Sequence, residues 1–128
     1  MTRPTVAVVA DDLIWADRLH RLVSASGAQV EPCRSLVQLE SVLGRVDAVV
    51  VDLGARTFDP QASIACATEA SKPTLAVGPH DAAEGRAQAR ASGADRVLAY
   101  RALAEPGSDA IGRWLSGVDR PAPVETSR

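Results

Sequence analysis

Three aspartates stand where two valine-rich stretches end. Asp11 and Asp12 follow Thr5 to Ala10 (TVAVVA), and Asp52 falls near the close of Val46 to Leu53 (VDAVVVDL). If the two stretches are neighbouring parallel strands, all three carboxylates converge at one end of a sheet. Like charges held together resist ionising unless a hard cation joins them. Mg²⁺ suits such a place, because it takes a few carboxylate oxygens and keeps several waters. A carboxylate beside that ion can act as a nucleophile toward a phosphoryl group. An acid at one end alone is better read as a helix cap or a solvated strand terminus. Acids at both ends, in one fold, reverse that preference.

The elements that must position them alternate along the chain. After the first strand, Trp15, Leu19, Leu22 and Val23 share one helical face, and Gly27 ends that helix. Ala28 to Cys33 is a short strand suited to a sheet edge, and Ser35 caps a second helix that closes at Gly44. Val49, Val50 and Val51 in succession mark a central strand buried on both faces. Gly54 to Pro60 reads as a loop and Gln61 to Ala70 as an Ala-rich helix. Pro73 to Val77 is a fourth strand, Asp81 to Ser92 a polar helix, Asp95 to Tyr100 a fifth strand and Asp109 to Leu115 a short last helix. Five strands alternating with five helices give right-handed crossovers and helices on both sheet faces. The expected fold is therefore α/β: a doubly wound, flavodoxin-like (βα)5 domain with a parallel sheet in the order 2-1-3-4-5. In that order the ends bearing Asp11, Asp12 and Asp52 flank the switch point, where such folds place their ligands.

Composition narrows the function. The 128 residues make one domain, with 46% apolar residues, 23% charged and only 3% aromatic. A core of Ala, Val and Leu does not build an aromatic-lined groove for bases or flavin rings. A net charge of −2 with interspersed signs gives no basic face for nucleic acid. No apolar run is long enough to span a bilayer, and Met-Thr-Arg-Pro leads straight into a strand, so a cytoplasmic location is expected. Cys33 and Cys66 are isolated, without metal-ligand spacing, and are expected to be reduced thiols. Residues 1–117 read as the domain and 118–128 as a flexible tail.

The sequence resembles the bacterial response-regulator receiver domains of two-component signalling over about nine tenths of its length. VAVVADDL is similar to that family's first strand and acidic pair, and VDAVVVDLG to its third strand and phospho-acceptor. KPTLAVGPHD and RASGADRVLAYRA resemble its fourth strand, fourth helix and fifth strand, most closely at Gly93-Ala94-Asp95. The resemblance implies Mg²⁺ on Asp11, Asp12 and Asp52, and phosphorylation of Asp52 by a histidine kinase.

Four positions and one loop depart from the family pattern. Gly78 stands where receivers carry a Thr or Ser hydroxyl, and Tyr100 where they carry a Lys. Arg101 replaces the following proline, and supplies a cation only if the strand shifts by one residue, which would turn it to the other face. Val97 occupies the aromatic switch position, and the loop after Asp52 is Leu-Gly-Ala-Arg in place of Met-Pro. Loss of a charged phosphate partner removes about 1.5–3 kcal/mol from a phosphorylated state.

The leading expectation is thus an atypical receiver, or pseudo-receiver: a non-enzymatic module that signals through a protein partner, either a histidine kinase or a downstream signalling protein. A working receiver phosphorylated on Asp52 is the alternative. A small-molecule-binding flavodoxin-like domain is a further one, which an apolar pocket of ligand size above the sheet would favour. A homodimer is left open. Trp15 and Trp114 are expected in the core, His20 and His80 in solvent, and Glu84, Arg86 and Arg90 on an exposed helix face that partners in this family would meet.

Overall fold

The computed structural model describes residues 3–79, 83–105 and 109–119. Five parallel strands, β1 (Thr5–Val9), β2 (Gln29–Cys33), β3 (Ala48–Asp52), β4 (Thr74–Gly78) and β5 (Arg96–Ala99), form one sheet in the order β2-β1-β3-β4-β5. That is the expected strand order. Among the described residues six helices accompany them: α1 (Leu13–Ala25), α2 (Leu36–Val42), α3 (Pro60–Glu69), α4 (Ala83–Ser92), α5 (Tyr100–Ala104) and α6 (Ala110–Asp119). A short 3₁₀ turn, Leu43–Arg45, extends α2.

Alternation along each strand sorts the core into two layers. Val6 and Val8 of β1, Val50 of β3 and Val77 of β4 pack with Leu19 and Val23 of α1, Leu103 of α5 and Trp114 of α6. Val9, Val51, Ala76 and Val97 pack on the opposite face with Leu39 of α2, Ile64 and Ala67 of α3 and Ala89 of α4. Every residue of β3 and β4 is buried, which is why their sequences read as continuous apolar runs. β2 carries Pro32 and partly exposed residues, as its edge position permits.

Local chemistry sets the helix ends. The Asp12 carboxylate accepts from Ile14 N at 2.9 Å and Trp15 N at 3.0 Å and starts α1. Gly27, at φ 95°, closes it in the left-handed region. Asp59 caps α3 through Gln61 N at 2.9 Å, with Pro60 in the first turn. Asp95, in the segment that most resembles receivers, accepts from Thr74 N at 2.7 Å and Trp114 Nε1 at 3.3 Å, tying β4 and α6 to the start of β5.

Two element ends differ from expectation. The fifth strand stops at Ala99, one residue before its expected end, and Tyr100 opens an additional short helix, α5. The last helix continues past Leu115, its expected end, to Asp119. The expected tail lies outside the described residues from 120 onward, as does His80.

Candidate functional site

Asp52 ends β3 between β1 and β4, and the fold seals it there. It is 1% exposed. Oδ1 accepts from the hydroxyl of Tyr100, at the N-terminus of α5, and from Gly54 N at 2.9 Å. Oδ2 is buried and has no hydrogen-bond partner. Burial pushes the Asp52 carboxyl up from its usual value, against the lowering effect of the Tyr100 and Gly54 hydrogen bonds, with Asp11 and Asp12 adding to the rise. Burial and the neighbouring carboxylate likewise push the Tyr100 phenol up.

The Tyr100 ring is held from the other side. It stacks on Trp15 of α1 with ring centroids 3.9 Å apart and planes 16° from parallel. The Arg18 guanidinium lies 5.2 Å from the Trp15 ring centre, a cation–π contact. Trp15 is only partly buried, and it lines the layer formed by α1, α5 and α6.

Asp11 and Asp12 are committed to other tasks. Oδ2 of Asp11 accepts from Arg56 N at 2.8 Å, Thr57 N at 2.6 Å and Thr57 Oγ1 at 2.7 Å, so it fastens the loop that follows β3. Partial burial raises the Asp11 carboxyl, but the bonds from Thr57 and Arg56 outweigh it and hold it below its usual value. Asp12 spends Oδ1 on the cap of α1. Both line an open cavity of about 350 Å³ together with Gly54, Arg56 and Thr57. Asp52 does not reach the wall of that cavity.

These donors do not fit a bound divalent cation as they stand. Among the described residues, no group of three or more His, Cys, Asp or Glu side chains is placed to hold a metal ion. The physical reason is the hydrogen bonding: each carboxylate of the expected trio already has one oxygen saturated by N–H or O–H donors. Asp11 and Asp12 each keep a second oxygen outside those bonds, whereas the second oxygen of Asp52 is enclosed.

The four positions that depart from the receiver pattern are placed as follows. Gly78 ends β4 beside Leu53, whose side chain stands 3.0 Å from where a β-carbon on Gly78 would lie. A hydroxyl-bearing side chain at residue 78 would therefore meet the Leu53 side chain in tight contact. Tyr100, not Arg101, meets Asp52, and Arg101 is exposed on α5. Val97 is buried in the α2–α4 layer and pairs with Ala76. Sequence reasoning placed Tyr100 at a lost contact and missed that its hydroxyl bonds Asp52. Gly54 was the available signal, since only a residue without a side chain admits the Tyr100 hydroxyl so close to the backbone.

Other features flank this site or lie apart from it. A cavity of about 220 Å³ between α1 and α5 is lined by Trp15, Arg18, Arg21, Leu22, Leu103 and Ala104. Its Trp15 wall is the ring that stacks on Tyr100. His20 is half-buried and its burial lowers its pKa, with Asp17 opposing. No helix among the described residues is long and apolar enough to cross a membrane.

No family model and no curated protein matches the sequence. Solved structures do match the fold. A CheY-like response regulator receiver domain protein from Methanospirillum hungatei superposes with a TM-score of 0.74 at 13% identity, over 92% of this chain and 95% of that one. The signal receiver domain of a modulated diguanylate cyclase from Desulfovibrio desulfuricans gives 0.74 at 19% identity, over 91% and 94%. A response regulator protein from Burkholderia pseudomallei with a phosphorylated aspartic acid, a calcium ion and citrate gives 0.66 at 18% identity, over 92% and 75%. By strand order, layer arrangement and these superpositions, the chain has the flavodoxin-like α/β fold of CheY-like receiver domains.

Proposed function

We propose that this chain is a pseudo-receiver: a signalling module that works through contact with a protein partner and without phosphorylation of Asp52. One observation carries the reading. The Asp52 carboxyl, the only candidate acceptor at the end of the central strand, is walled off from the cavity that holds Asp11 and Asp12. A phosphoryl donor must approach a carboxylate oxygen in line, and neither oxygen here is open to one. Oδ1 faces the Tyr100 hydroxyl and Gly54 N, and Oδ2 is enclosed. The hydroxyl position is taken by Gly78 beside Leu53, and the cation position by a neutral phenol. Partners suited to this reading are a histidine kinase or a downstream signalling protein that recognises the receiver surface.

The alternative, a working receiver, is favoured by the unpartnered Oδ2 of Asp52, a buried polar atom still short of a donor or cation. The two readings separate on exposure to acetyl phosphate with Mg²⁺, followed by intact-mass measurement. The pseudo-receiver stays at its unmodified mass. A phosphoryl mass gain that Asp52→Asn abolishes establishes the working receiver.

A further inference from the structure

We propose that the Tyr100 side chain is the gate that denies Asp52 to cations and phosphoryl groups, and that Trp15 pins the gate shut. The inference rests on the pseudo-receiver reading and names its cause. The acidic end of the sheet is not dismantled: all three aspartates are present, and Asp11 and Asp12 still line one open cavity. Gly54 lines that cavity, its N–H donates to Asp52 Oδ1, and the Tyr100 hydroxyl lies against both. A β-carbon on Gly54 would lie 2.5 Å from the Tyr100 hydroxyl oxygen and 3.4 Å from Asp52 Oδ1, which shows how closely the three are stacked. The ring behind the hydroxyl cannot retreat freely, because Trp15 lies 3.9 Å from it and nearly parallel.

The buried Oδ2 is the second, independent mark of a site closed from outside. A carboxylate 1% exposed with one unpartnered oxygen is unfavourable, and packed chains rarely retain such an atom without a role. Removing Tyr100 frees Oδ1 of a hydrogen bond and opens Asp52 toward the oxygens that Asp11 and Asp12 keep outside their own bonds. The competing cause is that the commitments of Asp11 to the loop and Asp12 to the α1 cap close the site by themselves. In that case, opening Tyr100 changes nothing.

Calorimetric titration with Mg²⁺ alone separates these causes, using the full chain as wild type, Tyr100→Ala, and Tyr100→Ala combined with Asp52→Asn. The expected result is no measurable binding by wild type and binding by Tyr100→Ala that is at least about tenfold tighter, on the scale of one charge-assisted hydrogen bond. The double variant loses that binding again. A folded Tyr100→Ala chain that binds Mg²⁺ no better than wild type overturns the gate while leaving the pseudo-receiver reading intact. Wild type that binds Mg²⁺ through Asp52 also overturns the gate, whereas the pseudo-receiver reading falls only to a phosphoryl mass gain at Asp52. If far-ultraviolet circular dichroism shows Tyr100→Ala unfolded, Trp15→Leu carries the test, because it removes the stack that holds the ring. The same gain in Mg²⁺ binding is expected from it, and a folded Trp15→Leu chain without that gain overturns the gate.

Discussion

Glycine is required at residue 54 because tyrosine stands at residue 100: a β-carbon there would sit 2.5 Å from the Tyr100 hydroxyl oxygen, well inside contact distance. The loop after β3 and the start of α5 are thereby fitted to one another across Asp52. Gly54→Ala is expected to destabilise the fold by about 1–3 kcal/mol, the range for overpacking a filled site. Combined with Tyr100→Ala the penalty should largely vanish, since the clashing atom is gone. Urea midpoints of the two single variants and the double variant check this.

Asp52 and Asp11 should respond to pH with opposite signs. The raised pKa of buried Asp52 means the folded chain holds its proton more tightly than the unfolded chain. Its contribution is therefore present at low pH and is lost as pH rises through the folded value. Asp52→Asn lacks that loss, so it should exceed wild type in stability by on the order of 1 kcal/mol at neutral pH, and the difference should shrink on acidification. Asp11, held below its usual value by Thr57 and Arg56, stabilises the fold above its unfolded pKa and loses that contribution as pH falls. Asp11→Asn should accordingly be weaker than wild type at neutral pH and converge with it in acid. Urea denaturation from acidic to neutral pH measures both curves.

The strand order and both core layers were legible in the sequence because the signals are local. Val49, Val50 and Val51 announce a strand buried on both faces, and Gly27 and Ser35 punctuate the helices around it. The arrangement at Asp52 was legible only in part. Which strand ends carry acids can be read from the chain. That Asp11 is spent on the amides of residues 56 and 57, 45 and 46 positions away, cannot be, because no local pattern encodes that contact. Tyr100 looked like the end of a strand, since its neighbours Val97, Leu98 and Ala99 are strand-like. Tertiary packing on Trp15 instead makes it the first residue of a helix, which aims its hydroxyl back at Asp52.

The two cysteines should differ sharply in reactivity. Cys33 is 1% exposed at the end of β2, and burial, with Glu31 adding to it, pushes its thiol up to about 11. Cys66 is partly exposed on α3 and is raised by burial and by Glu40 and Glu69. With the thiolate as the reactive form, native chain at neutral pH should take up one equivalent of iodoacetamide slowly, at Cys66, and a second only after denaturation. Peptide mapping of the labelled chain identifies the sites, and native labelling at Cys33 would contradict the packing of β2.

The central claim, that Asp52 is closed to phosphoryl chemistry, is tested most directly by amide and indole NMR spectra of the wild-type chain with Mg²⁺ and beryllofluoride. Gly54 N donates to Asp52, and the Trp15 ring touches Tyr100, so both report any change at the carboxyl. The account predicts that the Gly54 amide and Trp15 indole resonances stay where they are. Saturable shifts of these two signals that require Asp52 would show that the site accepts an acyl-phosphate mimic and would contradict it.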